Sequence, residues 1–191
     1  METYHKIHNV FKRDPKTKTL LEGEYSLPEF EYLKDNEWVF TEKIDGTNIR
    51  VLYHGHEDRT VTFGGKTDKA QMYPGILKRL NELFLPEGDT FKDLFKDAPV
   101  CLYGEGFGKG IQKGGKYLPH QDFVLFDVKV GRWWLKRSDI EGIAKEFSID
   151  IAPIVGKGTL SYAVKVVYGV SWPNYVFTHT PAALTNWVLC K

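Results

Sequence analysis

The first signal along the chain is alternation. Trp38 to Lys43, Asn48 to Tyr53 and Arg59 to Phe63 alternate apolar with polar residues, the pattern of half-buried strands. Asp45-Gly46 and His54-Gly55 separate them as turn signals, so the stretch predicts an antiparallel meander. Pro74 suits a first helical turn, and Ile76, Leu77, Leu80, Leu83 and Phe84 follow on one helical face. Val100 to Tyr103 and Phe123 to Val130 return to β-branched and aromatic residues and predict two more strands. Ser138-Asp139-Ile140-Glu141 reads as a capping box ahead of Ile140, Ile143, Ala144 and Phe147. A last helix is expected from about Thr159 to Tyr168. The polar segment before Asn36, broken by Pro15 and Pro28, predicts a surface loop with a short strand. The fold class is therefore α+β, dominated by antiparallel pairing.

Composition narrows the function classes. At 191 residues, with 42% hydrophobic and 27% charged residues, the chain can bury a core without disulfides. The net charge of +1 excludes a bulk polycation but leaves room for a local basic patch. Cys101 and Cys190 lie far apart in no metal-ligand spacing, which points to a reducing compartment. No apolar run resembles a signal peptide or a membrane span, so a cytoplasmic protein is expected, in the host cytoplasm if viral, with no membrane partner. His5, His8, His54, His56, His120 and His179 form no ligand set.

Three strings carry candidate chemistry. In Glu42-Lys43-Ile44-Asp45-Gly46-Thr47-Asn48 a lysine ends a predicted strand, where a pocket can form. An amine nucleophile needs a neutral fraction, which desolvation or nearby positive charge supplies. Alone, the string reads more simply as an Asp-Gly hairpin turn beside a surface lysine. Its company changes that. Tyr103-Gly104-Glu105-Gly106 offers a strand carboxylate flanked by glycines that let backbone approach a ligand. Phe126-Asp127 places an aromatic and an acid on adjacent strand positions, which alternation directs to opposite faces. The basic run Lys109-Gly110-Ile111-Gln112-Lys113-Gly114-Gly115-Lys116 suits either phosphate binding or a solvated loop. Trp133-Trp134, among Lys129, Arg132, Lys136 and Arg137, reads as stacking platforms or as buried tryptophans with a charged rim.

Together these strings resemble the covalent nucleotidyltransferase superfamily, and within it the phage RNA ligases of the nick-sealing type. The resemblance implies an antiparallel-sheet, ATP-grasp-like adenylation domain over residues 1–160, followed by an atypical segment, 161–191. It makes Lys43 the adenylated nucleophile. Glu42, Asn48, Lys66, Glu105 and Phe126 become nucleotide-binding residues, and Asp127 a metal-site acid. Lys109, Lys113 and Lys116 become contacts to RNA. ATP and Mg²⁺ or Mn²⁺ are the implied cofactors. RNA, joined from a 5′-phosphate to a 3′-hydroxyl in RNA repair, is the implied partner.

The resemblance stops late in the chain. Family members carry a strand Glu-Gly pair and a Lys-x-Lys element near the end of this domain. Residues 151–191 contain no Asp or Glu, and neither Lys165 nor Lys191 has a lysine two positions away. Glu141-Gly142 imitates the first element, but its capping-box context predicts a helix. Impaired adenylation is thus expected. A degenerate nucleotide- or RNA-binding module without turnover stands beside the ligase reading, as do a guanylyltransferase and a DNA substrate.

Overall fold

The computed structural model describes residues 3–55, 60–112, 117–167 and 187–190. In chain order the elements begin with β1 (Phe11–Arg13), β2 (Leu20–Tyr25), α1 (Pro28–Tyr32), β3 (Trp38–Glu42), β4 (Thr47–Tyr53) and β5 (Val61–Gly64). There follow α2 (Pro74–Phe84), α3 (Gly88–Phe95), β6 (Val100–Gly108), β7 (Gln121–Val130) and β8 (Trp133–Trp134). The last are α4 (Arg137–Glu146), β9 (Asp150–Ile151), β10 (Ile154–Gly158), α5 (Leu160–Val167) and β11 (Trp187–Cys190). The sheets are antiparallel apart from the β7–β9 pairing, so the class is mixed α and β with antiparallel sheets. No helix among the described residues is long and apolar enough to cross a membrane.

The chain divides into two compact units, one of Met1–Tyr4 with Ile44–Ala152, the other of His5–Lys43 with Pro153–Lys191. In the first, a six-stranded sheet runs β5-β4-β6-β7-β8, with β9 parallel to β7. Alternation directs Ile49, Val51, Tyr53, Leu102, Phe123 and Leu125 to one face, where they join Ile76, Leu80 and Phe84 of α2 and Phe91 of α3. Ile140, Ile143 and Ala144 of α4 complete that core. Leu77, expected on the buried stripe of α2, is 40% exposed, so the stripe is narrower than its sequence spacing predicts.

In the second unit β3 lies between β10 and β11, antiparallel to both. Trp38 and Phe40 of β3 pack with Leu160 and Ala163 of α5. The Thr159 hydroxyl accepts the Tyr162 N–H (3.2 Å) and so serves the first turn of α5. Between β1 and β2, Asp14 accepts backbone N–H bonds from Thr17 and Lys16, which hold its carboxyl below its ordinary range.

Two expectations fail on this architecture. The meander does not form as a whole: β4 and β5 pair, but β3 is hydrogen-bonded to β10 and β11 in a separate sheet. Asp45-Gly46 is therefore a crossing between sheets and not a hairpin turn. The capping box is also absent. The N-cap of α4 is Lys136 with no side-chain cap, and Glu141 instead accepts a 2.7 Å hydrogen bond from Arg137. An i,i+4 ion pair has taken the acid that the box required.

Candidate active site

Strand register assembles the site. Cross-strand partners share a face. Asn48 lies opposite Glu105, Arg50 opposite Tyr103, and Tyr103 opposite Asp127, so these five residues occupy the sheet face turned away from the helical core. Asn48 and Gln121 carry the buried side-chain oxygens that lack a hydrogen-bond partner among the described residues. A buried, unsatisfied amide oxygen costs about 1–3 kcal/mol, which a bound hydroxyl or cation at Asn48 would offset. Asn48 Oδ1 and the Glu105 carboxylate are both hard oxygen donors, suited to a hydroxyl or a hard cation. No group of three His, Cys, Asp or Glu is gathered among the described residues, so a cation here would complete its shell with ligand oxygens and water.

The glycines around Glu105 serve packing. A Cβ on Gly104 would lie 2.2 Å from the Phe123 ring, and one on Gly106 would lie 3.1 Å from Ile49 and Ile76. Both glycines face the core and make room for it, which corrects the expectation that they admit a ligand. The close approach that concerns the motif is at Gly46. A Cβ there would meet the Gly106 carbonyl at 2.2 Å and Glu105 Cγ at 2.9 Å, so only glycine lets that turn lie against β6.

Phe126 and Asp127 also depart from simple alternation. The β6–β7 register jumps between Tyr103, opposite Asp127, and Gly104, opposite Leu125, leaving Phe126 as the extra residue of a β-bulge. The bulge re-aims its ring, which packs against the satellite cluster of Ile44, Phe107, Val124 and Ala152. Both residues then meet one side chain, Tyr4. Its ring centroid is 5.0 Å from that of Phe126, and its hydroxyl donates to Asp127 Oδ2 at 3.0 Å. Asp127 Oδ1 accepts the Val128 N–H (2.9 Å), so each carboxylate oxygen already has a donor.

The remaining expected residues are dispersed. Lys66 is exposed in the loop after β5, and Arg50 anchors that loop. The fully buried guanidinium donates to the Gly65 carbonyl (2.7 Å) and to Asp68 (2.9 Å). Lys109 is exposed at the end of β6, while Ile111, two residues on, is fully buried in the main core and fastens the start of the basic run. Lys113 and Lys116 lie outside the described residues. Glu42 ends β3 in the second unit, and Lys43, exposed, is the last residue of that unit's first run. Arg50 and Tyr4 were missed at the level of sequence. Arg50 occupies the polar position of an alternating strand and reads as solvent-facing; Tyr4 reaches a partner 123 residues away, which no local pattern encodes.

The fold has counterparts among known structures. A mutant of Naegleria gruberi RNA ligase with ATP and Mn matches with a TM-score of 0.59 and 22% identity, over 74% of this chain and 42% of that one. The same ligase with PPi gives 0.59 and 22%, over 74% and 43%. Another mutant, with AMP and Mn, gives 0.62 and 20%, over 85% and 48%. At these identities the likeness is one of fold, and the chain spans less than half the length of those ligases. Residues 36–170 match the family model described as RNA ligase, covering the Lys43-to-Asn48 string, Glu105 and the Phe126-Asp127 bulge. On that match across most of its length, the chain belongs to the RNA ligase family.

Proposed function

We propose that this chain carries the adenylyl-transfer chemistry of an ATP-dependent RNA ligase, on an ATP-grasp-like sheet. The observation that supports this best is the Asn48–Glu105 cross-strand pair, with its unsatisfied amide oxygen on the face opposite the core. In this reading the neutral Lys43 amine attacks the α-phosphorus of ATP. A P–N bond forms, the bond to the β-phosphate oxygen breaks, pyrophosphate leaves, and the amine's proton passes to solvent. The 5′-phosphate of RNA then displaces the lysine and takes the AMP. Finally the 3′-hydroxyl attacks that phosphate, expels AMP and closes the strand.

Each residue has a task. Glu105 and Asn48 accept from ribose hydroxyls or donate oxygens to the metal. Phe126, re-aimed by its bulge, offers adenine an apolar face, an interaction of ~1–3 kcal/mol by analogy with base stacking. Lys66, on the loop anchored by Arg50, supplies a cation for phosphate oxygens, and Lys109 one for RNA. Glu42 flanks the nucleophile. A divalent ion, carried as Mn in the ATP-bound relative, would neutralise charge on the phosphate oxygens when held there. Asp127, its carboxylate oriented by the Tyr4 hydroxyl and the Val128 N–H, serves as the metal-site acid.

The test is incubation with α-labelled ATP or GTP and a divalent metal, followed by detection of acid-resistant label on the protein. Label from ATP that disappears in Lys43→Ala, with an unchanged melting temperature, is the expected result. Label from GTP would favour capping chemistry, and ATP binding without label would favour a binding module. The rate is expected to be low. Residues 151–191 lack the paired lysines that would stabilise the α-phosphate, and losing one such donor costs roughly 10²–10³ in rate. Single-turnover adenylation beside a family member possessing both late elements measures this. Equal rates would move the search for substitute cations to Lys109, Lys113 and Lys116.

A further inference from the structure

The β7–β8 hairpin lies at the sheet edge beside Tyr103 and Tyr4, and neither of its tryptophans has a task in the reading above. Val130 pairs with Trp133 and Lys129 with Trp134 across the two-residue turn Gly131-Arg132, where Gly131 adopts φ +55°. This register sends the two indoles to opposite sides of the sheet edge. Trp134 joins Lys129 on the face of Tyr103 and Asp127; Trp133 joins Val130 on the other. Both are open to solvent, Trp133 at 66% and Trp134 at 40%. Each has its own cation. The Arg132 guanidinium lies 5.1 Å from the Trp133 ring, and the Lys129 ammonium lies 5.4 Å from the Trp134 ring.

Trp133 belongs to no described core cluster, so packing does not account for it. Trp134 is backed by Tyr103 at 5.3 Å and Tyr4 at 5.7 Å, which continues the aromatic contacts from Phe126 toward the edge. Residues 128–137 contain Lys129, Arg132, Lys136 and Arg137 and no carboxylate. Arg137 is committed to Glu141 and the Ala152 carbonyl. A protein-docking patch would gather its apolar rings into one surface. Here they are separated by the edge, and each stands beside a positive charge. That pattern suits a polyanion whose units alternate a flat base with a phosphate.

We infer that the β7–β8 hairpin is a single-strand RNA contact, with a base stacked on Trp133 and phosphates held by Arg132 and Lys129 as the strand crosses the edge. The inference deepens the proposed function and rests on RNA being the substrate there. A guanidinium over one face of an indole leaves the other face for a base.

The experiment titrates a fluorescein-labelled, 5′-phosphorylated single-stranded RNA into the 191-residue protein and reads anisotropy at several salt concentrations. Trp133→Ala should weaken binding roughly 5- to 150-fold, as expected for one lost stacking partner. Arg132→Ala should also weaken it and lower the salt slope by about 0.7, the value for one phosphate on a single strand. Arg132→Lys should restore that slope. Both side chains are exposed, so melting temperatures and labelling from α-labelled ATP should stay at wild-type values. Wild-type RNA affinity in Trp133→Ala, or no RNA binding by the wild type, overturns the inference and leaves the hairpin to a protein partner. If the wild type is never labelled but Trp133→Ala still loses RNA affinity, the proposed function fails while the hairpin contact stands.

Discussion

The two faces of the six-stranded sheet are built from the same strands and do opposite work. On β4, Ile49 and Val51 enter the core while Asn48 and Arg50, one residue away, do not. On β6, Leu102 enters the core, and Gly104 and Gly106 make room for it, while Tyr103 and Glu105 face the other way. One face is satisfied internally by apolar contact with three helices. The other carries a buried oxygen without a partner, a buried guanidinium anchoring a loop, and an acid engaged by a distant tyrosine. Period-two alternation thus separates stability from chemistry within single strands, and substitutions on the two faces should have separable effects.

The comparison would break most visibly at Phe84. Its ring meets Phe63, Phe91, Phe123 and Phe147 at centroid distances of 5.6–6.3 Å and is fully buried. Phe84→Ala should lose about 3–5 kcal/mol of stability by urea denaturation. A loss below about 1 kcal/mol would mean the helical face is not the main core.

Asn48→Ala tests the other face. Removing an unsatisfied buried oxygen should leave the melting temperature unchanged or raised, while adenylation falls roughly 10²–10³-fold. Destabilisation with normal labelling would reverse the roles assigned to the two faces. The smallest effect is expected at Tyr4. Tyr4→Phe removes the hydroxyl that donates to Asp127 and should cost about 1 kcal/mol, and Asp127→Ala removes the acceptor. If Tyr4 and Asp127 act as a pair, the double variant should lose less than the sum of the two, which a double-mutant cycle of denaturation measures. Additive losses would mean that the contact carries no energy of its own.

Much of this was legible locally. Strands β4 to β7 and the buried residues of α2 and α4 follow from periodicity, because burial of one face enforces a period of 2.0 or 3.6 residues. The Lys43-to-Asn48 string, Glu105 and Phe126-Asp127 stood out because their residue types recur with a shared chemistry. Yet the hairpin expected at Asp45-Gly46 did not form. A turn signal says that the chain bends, not which strand pairs with which, and β3 found its partners in β10 and β11.

Local sequence, then, determined the elements, the polar and apolar faces of each strand, and the residue types available for chemistry. Tertiary structure alone decided that β3 belongs to another sheet, that a bulge turns Phe126 and Asp127 toward the same tyrosine, and that Arg50 is buried. It also decided that Trp133 and Trp134 stay exposed on opposite sides of an edge. The physical reason is the same in each case. Alternation is a property of neighbouring residues, whereas register, bulges and burial depend on which distant strand supplies the next hydrogen bond.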